Sequence, residues 1–263
     1  MAADARAICR NVSEPRLELV PVGVGSAIPA PGQAQSSYLV RAGATAVVMD
    51  LGSGTLSLLQ THIPPEDVDV LFITHLHPDH IVDLMTLRIY MMWGPGGGRR
   101  MRVIGPPGLR ERLEAFTESD TWEAAFAFED FAPGAGEIDL GDGLVVRHRE
   151  VPHLPPTNAL RLERGGASLC FGADCAPGPE LPELAAGCDV LVAECTFGPG
   201  APMPGVPHLT AREAGEIAAR AGAGRLLLVH CSPEHDPDLT LAAAREAYDG
   251  PVDWARPGEP VVL

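Results

Sequence analysis

This sequence predicts an α/β fold in four layers, αββα, and three observations predict it. Apolar runs rich in Val, Leu and Ile are short, as strands are. Stretches of helical periodicity separate them in both halves of the chain, so each half can supply one sheet and the helices that cover it. The densest polar cluster, His75 to His80, follows directly on an apolar run, as a site on a strand-to-helix connection does.

The elements follow in order. Leu17–Val24 is apolar and β-branched and reads as the first strand, with a Gly- and Pro-rich turn behind it. Ser37–Arg41 and Ala46–Met49 read as two more short strands, an antiparallel start. Thr55–Thr61 fits a short helix and Val68–Ile73 a compact strand. Ile81, Leu84, Leu87 and Met91 recur at helical spacing and predict a helix over His80–Met92. Arg102–Ile104 restarts a strand, and Leu109–Phe116 fits a helix. Leu144–Val151, Ala159–Leu162 and Ser168–Phe171 read as strands, ahead of a helix at Glu180–Ala186. The last third alternates: strand Val190–Glu194, helix Thr210–Ala221, strand Arg225–His230, helix Leu241–Tyr248. Thr210, with Glu213 three residues on, makes a capping box. No repeat or linker interrupts the chain, so residues 1–263 are expected to form one domain.

Composition narrows the chemistry. A chain of 263 residues, 46% apolar, needs no disulfide or structural metal to bury a core. Its net charge of −16 argues against a broad basic face for nucleic acid or an anionic membrane. All 19 basic residues are Arg, which excludes lysine Schiff-base chemistry and a phosphate-cradling P-loop lysine. Six cysteines without a CxxC pair, no apolar leader in Met1–Arg16 and no long apolar run predict a reduced, cytoplasmic setting with the cysteines as small apolar residues. Arg99, Arg100 and Arg102, after the Gly-rich stretch Gly94–Gly98, read as a solvated loop, with a phosphate-drawing lid as the alternative.

His75, His77, Asp79 and His80 place four candidate ligands in six residues. Residues two apart on an extended segment project to one side, so His75 and His77 can grip one ion, while Asp79 and His80 are turned toward a second by the helix start. Imidazole and carboxylate without thiolate suit two divalent transition-metal ions, zinc or manganese, with iron also compatible. His153, Asp174 and His230 each end a predicted strand and complete the count. Taken singly, His153 or His230 would read as a hydrogen-bonded structural histidine and Asp174 as a turn residue.

The motif His75-Leu76-His77-Pro78-Asp79-His80, with the upstream Asp50-Leu51-Gly52, resembles the metallo-β-lactamase superfamily, whose fold is the αββα sandwich. The resemblance implies His75, His77 and His153 around one metal, Asp79, His80 and His230 around the other, and Asp174 bridging them. It further implies hydrolysis by a hydroxide held between the ions. Glu194-Cys195-Thr196-Phe197, His208-Leu209-Thr210-Ala211 and Leu228-Val229-His230 resemble the tRNase Z-like branch, which cleaves phosphodiesters. There His208 would serve the transition state, held and kept charged by Glu194, and with Asp79 these are the expected catalytic residues.

The connection Leu154–Ala173 is too short for the Gly-rich arm of tRNA-processing members and is closest in spacing to the cyclic phosphodiesterase of the carbon-phosphorus lyase pathway. The cysteine-built zinc site of that enzyme has no counterpart between Pro21 and Gln35. The expected substrate is a small or cyclic phosphodiester, with no stable nucleic-acid complex, no membrane, and a homodimer implied by the resemblance. A tRNase Z-like endoribonuclease and a lactone or thioester hydrolase are the alternatives. A metal-bound regulator without catalysis is the reading from another class, disfavoured because all seven ligand positions are filled.

Overall fold

The computed structural model describes residues 17–95 and 97–263; the readings placed on residues 1–16, Cys9 included, and on Gly96 lie outside them. Among the described residues, fourteen strands form two seven-stranded sheets. The first contains β1 (Glu18–Gly23), β2 (Ser37–Ala42), β3 (Thr45–Met49), β4 (Val70–Phe72), β5 (Met101–Gly105) and β6 (Phe126–Asp130). The second contains β7 (Ala135–Asp139), β8 (Val145–Val151), β9 (Thr157–Arg164), β10 (Ala167–Phe171), β11 (Val190–Glu194), β12 (Leu226–Val229) and β13 (Val252–Trp254). The last strand, β14 (Val261–Val262), returns to the first sheet, giving the orders β14-β1-β2-β3-β4-β5-β6 and β13-β12-β11-β10-β9-β8-β7.

Side-chain alternation builds the layers. Val47, Met49, Val70 and Phe72 point inward and meet Leu160, Leu169, Phe171, Val192 and Leu227 of the facing sheet. Their neighbours Val48 and Leu71 point outward, under α1 (Thr55–Leu59), α2 (Pro78–Ile81), α3 (Leu84–Trp93) and α4 (Leu109–Thr117). Leu191 and Leu226 do the same beneath α5 (Glu180–Leu184), α6 (Ala211–Ala221) and α7 (Pro237–Arg245). Strands buried on both faces read as continuous apolar runs, which is why they stood out in the sequence. No helix among the described residues is long and apolar enough to cross a membrane.

β1, β2 and β3 pair antiparallel, as expected, whereas β3 to β6 and β10 to β13 run parallel within their sheets. The C-terminal ends of the parallel strands therefore gather along one edge, where open α/β sheets carry their sites. The capping box at Thr210 is present, and Cys170, Cys175, Cys188 and Cys195 are buried free thiols with Cys231 half-buried.

Three expectations need correction. The helix predicted over His80–Met92 is two helices, starting at Pro78 and broken around Asp83. Asp83 turns its carboxylate to the amide of Leu56 at the start of α1, and its own amide donates to Leu51 O. The last helix begins at Pro237 rather than Leu241, because the Asp236 carboxylate accepts from the amides of Asp238 and Leu239 and Pro237 occupies the first turn. The lid alternative fails: Arg102 pairs with both carboxylate oxygens of Glu129, and Arg100 donates to Phe126 O. Arg100 precedes β5 and Arg102 lies at its start, beside Val70 at the start of parallel β4, whereas the histidine motif follows the opposite end of β4.

Candidate metal centre

Three buried strand ends behind the site leave the usual backbone regions. Asp50, Ala173 and His230 have φ of 62°, 53° and 51°, values that cost non-glycine residues energy and persist where surrounding structure imposes them. Each follows an interior strand, and the left-handed step turns the chain at once across the sheet edge. The His230 amide donates to Val24 O at 2.9 Å, which ties the end of β12 to the segment after β1. Gly52 lies so close to the Asp79 carbonyl that a Cβ there would stand 1.9 Å from its oxygen, and this contact seats the histidine loop on the sheet.

The seven candidate ligands converge. His75, His77, His153 and Asp174 form one group, and Asp79, His80, Asp174 and His230 a second, with ligand atoms in each within 4.8 Å of one another. Asp174 belongs to both: its Oδ2 lies 3.4 Å from His80 Nε2, 3.4 Å from His230 Nε2 and 3.8 Å from His75 Nε2. His77 Nδ1 lies 3.1 Å from His75 Nε2 and 3.4 Å from His153 Nε2.

Hydrogen bonds behind the rings set which nitrogens face inward. The Thr74 hydroxyl donates to Asp50 Oδ2 at 2.9 Å, so toward His75 Nδ1, 3.1 Å away, it acts as acceptor. His80 Nδ1 donates to Asp50 at 2.8 Å, and His153 Nδ1 donates to Pro207 O at 2.9 Å. The Thr196 hydroxyl donates to Glu194 Oε2 at 2.6 Å and accepts from His230 Nδ1 at 3.0 Å. In all four rings Nδ1–H is spent outward and Nε2 is turned toward the centre, where that of His230 also lies 3.2 Å from Asp79 Oδ2. Lone pairs facing one another repel unless a cation or proton stands between them, and His80 Nε2 is buried without a hydrogen-bond partner. With nitrogen and carboxylate donors only, this arrangement fits divalent transition metals.

The charges follow the same division. Burial pushes His75, His77 and His153 below the ordinary histidine value, which keeps them neutral. Burial also works against a charge on His80 and His230, but Asp174, with Asp50 behind the first and Asp79 beside the second, outweighs it and raises both. Asp174, although buried, is held well below the carboxylate range by His230 and His80.

Beside the second group, His208 Nδ1 meets Glu194 Oε1 at 2.7 Å. Glu194 is buried and also accepts from the amides of Cys175 at 3.0 Å and Thr196 at 3.1 Å. Burial disfavours a charged His208, yet the hydrogen bond and charge of Glu194 prevail and raise its pKa. The His208 ring stacks on His230 with centroids 5.8 Å apart and meets His153 edge-on at 5.0 Å. Every expected ligand and catalytic residue thus lies in one cluster. Sequence reasoning passed over Thr74, Thr196 and the Pro207 carbonyl, and it gave Asp50 no role beyond the motif. Only the position of Asp50 at a strand end carried a signal.

Ribonuclease Z of Mycobacterium bovis is 32% identical over 246 residues, spanning 84% of this chain and 88% of that protein. The crystal structure of the metallo-β-lactamase fold protein YhfI from Bacillus subtilis matches with a TM-score of 0.84 at 25% identity, covering 93% of this chain and 98% of that one. A diphosphatase from the PhnP family has the same fold, with a TM-score of 0.75 at 19% identity over 94% of this chain and 98% of that one. Residues 45–231 match the family model described as a β-lactamase superfamily domain, and the chain belongs to this superfamily of metallo-hydrolases.

Proposed function

We propose that the protein hydrolyses small or cyclic phosphodiesters with two divalent transition-metal ions, zinc or manganese. His75, His77 and His153 would hold one, Asp79, His80 and His230 the other, and Asp174 both. The observation that carries this reading is the single Asp174 oxygen set among histidines of both groups, with His208 and its buried carboxylate beside it. When bound, such a pair of cations lowers the pKa of a water and offsets the charge that grows on phosphoryl oxygens.

The chain's own residues supply the remaining steps. Glu194 fixes His208 through Nδ1 and favours its protonated form, leaving Nε2 as the proton donor. That proton can neutralise an equatorial phosphoryl oxygen or pass to the leaving alkoxide as its bond to phosphorus breaks. Charge favours a small substrate. Among the described residues, the ion pairs of Asp79, Asp174 and Glu194 are all to histidine, and the chain as a whole carries a net charge of −16, which disfavours a polyanion. Where an RNA-gripping arm would depart, β9 and β10 join through Gly165 and Gly166 alone, both at positive φ, in a tight hairpin.

The identity to a ribonuclease Z supports a second reading, endonucleolytic cleavage of precursor tRNA by the same groups. Metal-loaded protein should turn over bis-p-nitrophenyl phosphate and cyclic nucleotides faster than precursor tRNA. His208→Ala should lower turnover on the order of 10²–10³-fold with metal content retained. Inactivity toward every phosphodiester alongside turnover of a lactone or thioester would overturn both readings.

A further inference from the structure

Two segments that continue the candidate centre form a lip of unusual composition. Residues 151–160 and 195–211 contain no Asp, Glu, Lys or Arg, in a chain of net charge −16. They expose apolar side chains instead: Leu154 is 76% exposed, Met203 59% and Val206 37%. The His153 Nδ1 bond to Pro207 O, 2.9 Å long, draws the segments together, so Leu154 and Val206 each stand one residue from that junction. Phe197 adds a ring edge-on to His208, with centroids 6.1 Å apart. Prolines at 155, 202, 204 and 207 stiffen both segments, which lowers the entropy lost when a ligand settles on them.

Single exposed apolar residues are ordinary, but several on two hydrogen-bonded segments beside a polar centre mark a contact surface. Its place next to His208 puts it where an arm of the phosphodiester must lie, and its neutrality suits an anionic substrate approaching an acidic protein. Resting on the hydrolase reading above, we propose that Leu154, Phe197, Met203 and Val206 determine specificity by receiving an apolar, ring-bearing arm of the phosphodiester.

Titration calorimetry on the zinc-loaded protein with phenylphosphonate and methylphosphonate tests this, since the two share a head group and differ in the ring. Phenylphosphonate should bind about tenfold tighter, as partial burial of a ring predicts. Leu154→Ser combined with Val206→Ser should bring the ratio to about one, and Leu154→Met should preserve it. Equal affinities in the unaltered protein would overturn the proposal. So would an unchanged ratio in the double variant, including the case where sedimentation shows that the substitutions split a dimer. Calorimetry needs no turnover, so a ring preference without phosphodiester hydrolysis would sink the hydrolase reading alone, and hydrolysis without ring preference would sink only this one.

Discussion

The two sheets furnish the centre in opposite ways. The first sends His75, His77, Asp79 and His80 from one stretch that runs from the end of β4 into α2, so four donors share a single anchor. The second sends one residue from each of several strands: His153 after β8, Asp174 after β10, Glu194 at the end of β11 and His230 after β12. A loop can carry a dense cluster because its residues are covalent neighbours. A sheet edge can bring together residues more than seventy positions apart, but only while strand register and end geometry hold, as the left-handed φ at Ala173 and His230 illustrates.

The largest expected effect lies where the two contributions meet. Asp174→Ala removes the carboxylate shared by both groups, and turnover should fall on the order of 10³-fold or more, with elemental analysis showing reduced occupancy of both ions. Retention of both at full occupancy would mean that the sheets hold their ions independently.

A smaller effect is expected behind the loop. Asp50→Asn keeps the shape of the side chain but weakens the hold on His80 and Thr74, and metal affinity measured by chelator competition should drop about 10- to 100-fold. An unchanged affinity would show that the local cluster needs no support from β3.

The mildest change concerns pH. On the proposed mechanism protonated His208 is the active form, so the rate should decline as pH rises through its pKa, which Glu194 raises. Glu194→Gln removes the raising influence and leaves burial, so the alkaline limb of the rate profile should move to lower pH. The loss should be greatest on the alkaline limb and slight at acidic pH, where His208 is protonated in both proteins. A limb that stays in place would detach Glu194 from the role of positioning and charging His208.

Much of this centre could be read before any coordinates. The motif at His75–His80 declared itself because polar groups crowded after a buried strand are costly unless they bind something. His153, Asp174 and His230 could be picked out as strand ends, and the superfamily resemblance supplied their grouping. Less could be read where the signal was weak or remote. β6, β7, β13 and β14 escaped because they are short edge or near-edge strands with few buried residues. The break at Asp83 escaped because its cause is the start of α1, 27 residues upstream.

By itself the sequence determined the layered α/β architecture, the donor chemistry and the superfamily, since periodicity and residue type are local properties of the chain. Only the tertiary structure decided which ring nitrogen faces inward, that Thr74, Thr196 and Pro207 orient the histidines, and that an uncharged apolar lip borders His208. Those outcomes depend on hydrogen bonds and exposure between distant segments, which packing alone creates.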